Sequence, residues 1–393
     1  MLLKKVNTII IVLVILCSTS FYSLSFLGPF IKGSELIGGL LIITFLILHI
    51  VYGNGINIKR NFYVPVLLIL FSVILSMITA RACRDQDVPN TLFAQRAMYY
   101  YLFYFLLHEM KPKTRDLEKL FLIFGIIHVI FYFIQFTIYP KIIFDVFILE
   151  QRGTIRIYLK GSDYLAISYF ISIQRYFRTN RPKYLLLILL FFSIFVLLGG
   201  RQTMAIMAIC LIAFLLIDKR VKSKLFNGIL IVSIIFLVLI MFQNIFQELL
   251  LQSQKDTNLG KNYIRLLAVK YFLTDFFKCP IAYITGNGMY ANHTLYGKEI
   301  ESLSVYKRYF LGDIGLIGNY VIYGLLFVIG VLSICIKSFR IKIEKKYDYI
   351  KYMFLSIVLA LLLGGGFASA DFICAIMIAL YILDVSATKL KTQ

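Results

Sequence analysis

Apolar residues run through nearly the whole chain in long stretches broken by short polar segments. A helix needs about 20 such residues to cross about 30 Å of hydrocarbon. On that measure the pattern predicts twelve spans: 6–26, 36–52, 62–80, 97–109, 120–139, 163–177, 184–199, 203–217, 225–246, 314–336, 352–367 and 369–384. The fourth is short. The last two are joined by Gly364, Gly365 and Gly366, which fits a tight hairpin or a broken helix. One connection stands apart in length, residues 247–312, and it is not of low complexity. Loops this long in a compact protein are usually functional or disordered. An amphipathic helix is predicted within it over 261–278, suited to the membrane interface or to a lid that only packs. The expected fold is all-α: one polytopic membrane domain, 1–393, with about 12 helices and one large outer loop, 247–312.

Composition narrows the class further. Apolar residues make up 60% and charged residues 16%, against about 45–50% and about 25% in soluble domains. That balance excludes a soluble enzyme, a disordered chain and a secreted disulfide scaffold. A net charge of +21 would suggest nucleic acid in a soluble protein. Sorted by topology it reads differently. With the N-terminus inside, the inside segments hold 24 basic and 7 acidic residues, and the outside segments 17 and 13. Short basic inside loops are the positive-inside pattern, which predicts cytoplasmic termini and no nucleic-acid partner. Lys4 and Lys5 before an apolar run fit a signal peptide, but the run continues past Cys17 without a small-residue cleavage site, so it is read as an uncleaved span. Cys17, Cys210, Cys335 and Cys374 lie in apolar runs as small hydrophobes. Cys83 and Cys279 are both outside and could pair, although spacing alone fixes no partner. No P-loop, CxxC or metal-spaced His/Cys cluster occurs, so neither metal nor cofactor is expected. No repeat or inverted symmetry between the halves is visible.

Chemistry is expected on the outer side, where basic residues run against the topological bias: Arg81, Arg84, Arg96, Arg152, Arg156, Arg201, Arg265 and Arg308. Arginine presents a planar fork of donors suited to phosphate oxygens, so a set of them around a membrane cavity suits an anionic lipid diphosphate. The alternative for each is a snorkelling side chain with an acidic partner. Arg201 stands out because it follows Leu197-Leu198-Gly199-Gly200 and precedes another apolar span, with no loop to keep it in water. A charge near the bilayer centre costs about 2.5–3.5 kcal/mol on insertion scales. His293 follows Gly286-Asn287-Gly288 closely and could act as a base or phosphate donor, or be an ordinary loop histidine. His49, His108 and His128 lie in apolar spans and read as structural. Asp313 and Asp371 each begin a span, as a helix cap or as an orienting carboxylate.

At these residues the chain resembles the bacterial O-antigen polymerase and ligase family, the Wzy-type polysaccharide polymerases and their ligase relatives. Leu198-Gly199-Gly200-Arg201-Gln202-Thr203 is similar to that family's SGSR(G/S) segment between two helices. Arg265, Pro280, Gly286-Asn287-Gly288 and His293 are similar to its R…P…GxG…H run in the large outer loop. Gly312-Asp313-Ile314-Gly315-Leu316-Ile317-Gly318 through Gly324 is similar to its (E/D)xGxxG…G entry into the next helix. Arg156 to Gly161 faintly resembles its upstream R…G element. The likeness covers about residues 150–320, and the first 140 only by hydropathy. Thr294 follows His293 where ligases commonly carry Asn or Ser, and the distance from His293 to Gly315 is long for a ligase, which points toward a polymerase.

The resemblance implies metal-independent glycosyl transfer on the outer face of the bacterial cytoplasmic membrane. The donor would be a glycan on undecaprenyl diphosphate, and the partners a flippase and a chain-length regulator besides membrane lipid. It casts Arg156, Arg201, Arg265 and Arg308 as substrate-binding residues, and His293 and Asp313 as catalytic ones. The alternatives are an O-antigen ligase and a lipid-linked oligosaccharide flippase. A transporter places ionisable residues within several spans, whereas here the spans are nearly free of charge.

Overall fold

The computed structural model describes residues 2–52, 60–151, 154–217, 243–361, 364 and 366–392. The first half holds α1 (Leu2–Ser18), α2 (Pro29–Tyr52), α3 (Tyr63–Arg84), α4 (Val88–Ala94), α5 (Phe103–Met110) and α6 (Thr114–Ile138). An antiparallel hairpin follows, β1 (Ile148–Gln151) and β2 (Thr154–Ile157), with Leu149 opposite Arg156. Then come α7 (Ser162–Thr179), α8 (Pro182–Leu197), α9 (Arg201–Ile217), α10 (Gln243–Leu259), α11 (Ile264–Thr274), α12 (Ala282–Thr285) and α13 (Leu295–Tyr306). The chain ends with α14 (Gly315–Tyr323), α15 (Leu325–Arg340), α16 (Tyr349–Ala360) and α17 (Ala370–Thr392).

Four helices are long and apolar enough to cross a membrane by length and composition: Gly33–Tyr52, Tyr63–Arg84, Thr114–Ile138 and Ala370–Thr388. They make this an all-α membrane protein. Three of them leave apolar side chains uncovered, including Phe71, Ile74 and Ile78 of α3 and Ile123, Ile130 and Ile134 of α6. Their spacing by helical turns puts each set on one face, as lipid contact requires. α17 is the reverse. Every residue from Ile373 to Leu383 is buried, because α17 packs against α1, α5 and α7 at the centre of the bundle.

The eleventh predicted span, 352–367, ends as a helix at Ala360, and three others are interrupted. The first stops at Ser18, and Ser20–Ser23 then take left-handed φ angles of 48° to 57°. Left-handed L-residues cost about 1–2 kcal/mol each. Here Tyr22 donates to the Phe124 carbonyl at 3.0 Å, and Asp145 N–H to the Ser23 carbonyl at 2.7 Å, so tertiary bonds hold the turn. The fourth is a 3₁₀ turn, Arg96–Leu102, running into α5, and Phe103–Leu107 are wholly buried. A helix apolar all round belongs in the core. The tenth is two helices, α14 and α15, broken at Gly324 with φ +80°. The ninth, 225–246, lies outside the described residues except for its last four, as do Arg152, Gly365 and the basic run Lys219–Lys224.

Polar contacts collect at the two ends of the bundle. At the end carrying the long loop, Glu35 meets Lys160 (2.5 Å) and Arg96 (3.0 Å), and Asp371 accepts from Gly161 N–H (2.8 Å). At the other end, buried Asp384 accepts from the Asn61 amide (2.6 Å) and the Tyr104 hydroxyl (2.5 Å), with His108 Nε2 3.3 Å away. Both aspartates thus tie α17 to other elements, and Asp371 bridges to the start of α7 besides meeting its own Phe372 N–H at 3.1 Å.

Candidate functional site

The long loop is built around a knot at the end of α3. Cys83 and Cys279 form a disulfide with Cα atoms 6.1 Å apart. This settles the pairing that spacing left open. Next to it, the Arg84 side chain is fully buried. Its Nε donates to Asn287 Oδ1 at 3.1 Å, its Nη1 to both Glu299 oxygens at 3.2 Å, and its Nη2 to the Phe276 carbonyl. The Phe276 ring stacks on the guanidinium at 4.1 Å and Tyr296 at 4.9 Å. Lys278 completes the charge balance of Glu299 at 3.0 Å. Gln86 extends the knot. Its amide donates to the Met289 carbonyl at 2.7 Å, and its oxygen accepts from Ala291 N–H and the Thr294 hydroxyl, both at 2.9 Å. Burial pushes the Tyr296 hydroxyl well above its usual range, so it stays protonated and donates to the Gly288 carbonyl at 3.2 Å.

The same loop explains the broken tenth span. A helix break frees carbonyls that hydrocarbon cannot satisfy. Asn287 N–H donates to the Val321 carbonyl at 2.9 Å, the Asn287 side chain to the same carbonyl at 3.0 Å, and Gly288 N–H to the Ile322 carbonyl at 2.8 Å. Gly286 and Gly324 sit backbone to backbone, and a Cβ on either would collide with the other strand of the joint. The Gly-Asn-Gly element is therefore a structural joint that docks the loop into the bundle.

The second region is the turn before α9. Gly199 turns the chain with φ +60°. The hairpin seats on this turn: the Thr154 hydroxyl donates to the Leu197 carbonyl at 3.3 Å and Arg156 Nε to the Leu198 carbonyl at 2.7 Å. The group approaching the glycines is thus Arg156 itself, 3.5 Å from where a Gly199 Cβ would lie. Tyr158 lies 5.0 Å from its guanidinium carbon. Neither terminal nitrogen of Arg156 has a hydrogen-bond or ionic partner among the described residues. Arg201, at the start of α9, is held by α10: Nη1 donates to Ser253 at 2.7 Å and Nη2 to Asp256 at 2.6 Å, with both charged side chains 28% exposed. Gln202 and Thr203 then border a largely apolar cavity of about 320 Å³ between α7, α9, α16 and α17, with Asp163 among its lining residues.

The other expected residues are spread apart. His293 is exposed, with Nε2 3.1 Å from Asn90 Oδ1. Asp313 lies in a 3₁₀ turn, Leu311–Ile314, and caps no helix through its side chain; it faces a cavity of about 470 Å³ that Glu301 also lines. Arg265 is half-buried on α11 and Arg308 exposed with φ +56°. Among the described residues no hydrogen bond or ion pair joins either one to Arg156 or Arg201. The predicted helix 261–278 is shorter, because the chain leaves α11 at Thr274 to bring Phe276 to Arg84. His49, His108 and His128 match the structural reading: His49 Nδ1 is 2.8 Å from the Phe45 carbonyl and His128 Nδ1 3.2 Å from that of Lys160. Sequence reasoning passed over Lys160 and Glu35. The signal available was a charged pair beside apolar runs, at Ser34-Glu35 and Lys160-Gly161. No protein-family model, curated protein or solved structure matches the chain.

Proposed function

We propose that the chain polymerises surface polysaccharide repeat units on the outer face of a bacterial cytoplasmic membrane, as a twelve-span protein with both termini inside. The donor is a glycan on undecaprenyl diphosphate, an acceptor hydroxyl attacks its anomeric carbon, and the lipid diphosphate leaves. The observation that carries this reading is the turn at Leu197–Arg201. It presents an arginine, Arg156, fixed through Nε with its two terminal nitrogens unpartnered among the described residues, and the following Gln202 and Thr203 line an apolar cavity. A guanidinium fixed in this way can stabilise diphosphate charge as it develops, and the apolar wall suits a lipid tail. Arg201 supports the turn through Asp256 and adds positive charge beside it. The diphosphate is itself an activated leaving group, so the reaction needs no nucleotide. A flippase that delivers the donor and a chain-length regulator are the partners this reading implies.

Glycan analysis tests it, in cells lacking the protein and complemented with wild type or Arg156→Ala. The expected result is carriers bearing one repeat unit in the deletion, and an Arg156→Ala protein that inserts normally without restoring polymer. Full-length polymer retained on the lipid carrier would instead identify a ligase, and single units held on the cytoplasmic leaflet a flippase.

A further inference from the structure

The cavity of about 470 Å³ at the far side of the loop falls within the about 300–1,000 Å³ typical of small-molecule sites. Its wall joins α13 to the segment that enters α14, and includes Tyr290, Asn292, Glu301, Ser304, Tyr309 and Asp313. This combines aromatic faces with an amide, a hydroxyl and two carboxylates. Its charge is unlike that of the rest of the molecule. The chain carries +21 overall, yet among the described residues no Lys or Arg lines this cavity.

Nor are its carboxylates occupied. Glu299, two residues before Glu301, is matched by Arg84 and Lys278. Glu301 and Asp313 have no ion pair or side-chain hydrogen bond among the described residues. Of the cations nearest in sequence, Lys298 and Arg308 are exposed and neither pairs with Glu301 or Asp313 among the described residues, and Lys307 lies 4.6 Å from the Tyr271 ring centre and 6.0 Å from that of Tyr309. The walls are held in place. Thr294 caps α13 by accepting from Gly297 N–H at 3.1 Å and is itself bonded to Gln86. Burial raises the Tyr290 hydroxyl above its ordinary range, which keeps it a hydrogen-bond donor at neutral pH.

We propose that this cavity binds a sugar unit bearing a free amino group, with Glu301 and Asp313 receiving the ammonium and the tyrosine rings facing the sugar. A cation gains from both carboxylates and from the aromatic faces, and a uronic acid would meet like charge. The choice of a sugar rests on the polymerase reading, in which the cavity is an acceptor subsite. The preference for cationic over anionic solutes does not depend on that reading.

The test is saturation-transfer NMR on the purified full-length protein in nanodiscs, titrated with glucosamine, N-acetylglucosamine and glucuronic acid. Glucosamine should give a saturable signal and glucuronic acid none, with N-acetylglucosamine weaker than glucosamine. Asp313→Asn and Glu301→Gln should each weaken glucosamine by about tenfold, as expected for losing one charged hydrogen bond. Arg156→Ala should leave its binding unchanged. An equal response to glucuronic acid, an unaltered affinity in the doubly substituted protein, or displacement of glucosamine by calcium ion would overturn the proposal. Binding is read without turnover, so a failure here leaves the repeat-unit profile of cells, which tests the polymerase reading, as a separate result.

Discussion

Arg84 and Arg156 sit at the same end of the bundle, and both are arginines that a topological reading places outside. Their surroundings differ in one respect. Arg84 is buried, and all three of its nitrogens donate to Asn287, Glu299 and the Phe276 carbonyl. Among the described residues Arg156 uses Nε alone, on the Leu198 carbonyl, and its terminal nitrogens have no partner. A saturated guanidinium holds chain segments together and has nothing left to offer a ligand. A half-saturated one is positioned and still able to bind. Partner saturation, more than exposure or charge, separates the scaffold of this protein from its candidate chemistry.

Stability measurements would break or sharpen that distinction. The largest effect is expected for Arg84→Ala. It leaves the buried Asn287 side-chain oxygen and the Phe276 carbonyl without that donor, at about 1–3 kcal/mol each, and removes the contacts of the Phe276 and Tyr296 rings, while Glu299 keeps Lys278. The thermal unfolding midpoint of purified protein should fall sharply; an unchanged midpoint would mean that the knot is not a scaffold. Next comes the disulfide. Serine at both Cys83 and Cys279 should lower stability by about 2–4 kcal/mol and open residues 247–312 to protease. Wild-type resistance to cleavage would show that Arg84 and Gln86 suffice. Arg201→Ala is expected to cost about 1 kcal/mol, since its pair with Asp256 is partly exposed. A loss as large as that for Arg84 would move Arg201 into the scaffold.

The sequence displays one side of this contrast and hides the other. Long apolar helices announce themselves by composition, which is why the apolar runs fall on α2, α3, α6 and α17, although α2, α6 and α17 each extend six to eight residues further at one end. The break at Gly324 was not legible, because its cause is Gly286 and Asn287, distant in sequence and meaningful only as a pair. Arg201 looked unpartnered beside its glycines, but Asp256 lies far along the chain on α10. The Gly-Asn-Gly element resembled part of a catalytic run, yet its backbone donors are engaged by Val321 and Ile322. Motif letters report which residues are available to a site. Which of them keep free donors depends on contacts that only the folded chain makes.

A small stability effect and the sharpest functional one should fall on the same residue. Arg156→Lys keeps the charge and removes both the Nε bond to Leu198 and the planar fork. The lost bond is worth about 1 kcal/mol, so the unfolding midpoint should barely move. If the fork itself engages the diphosphate, polymer output should fall between that of wild type and that of Arg156→Ala, because a point charge replaces two directed donors. Wild-type output from Arg156→Lys would mean that charge alone is used there. Output equal to that of Arg156→Ala, with a protein still folded, would mean that fixing the guanidinium on the Leu198 carbonyl is what the turn is for, and the open nitrogens would then define the site.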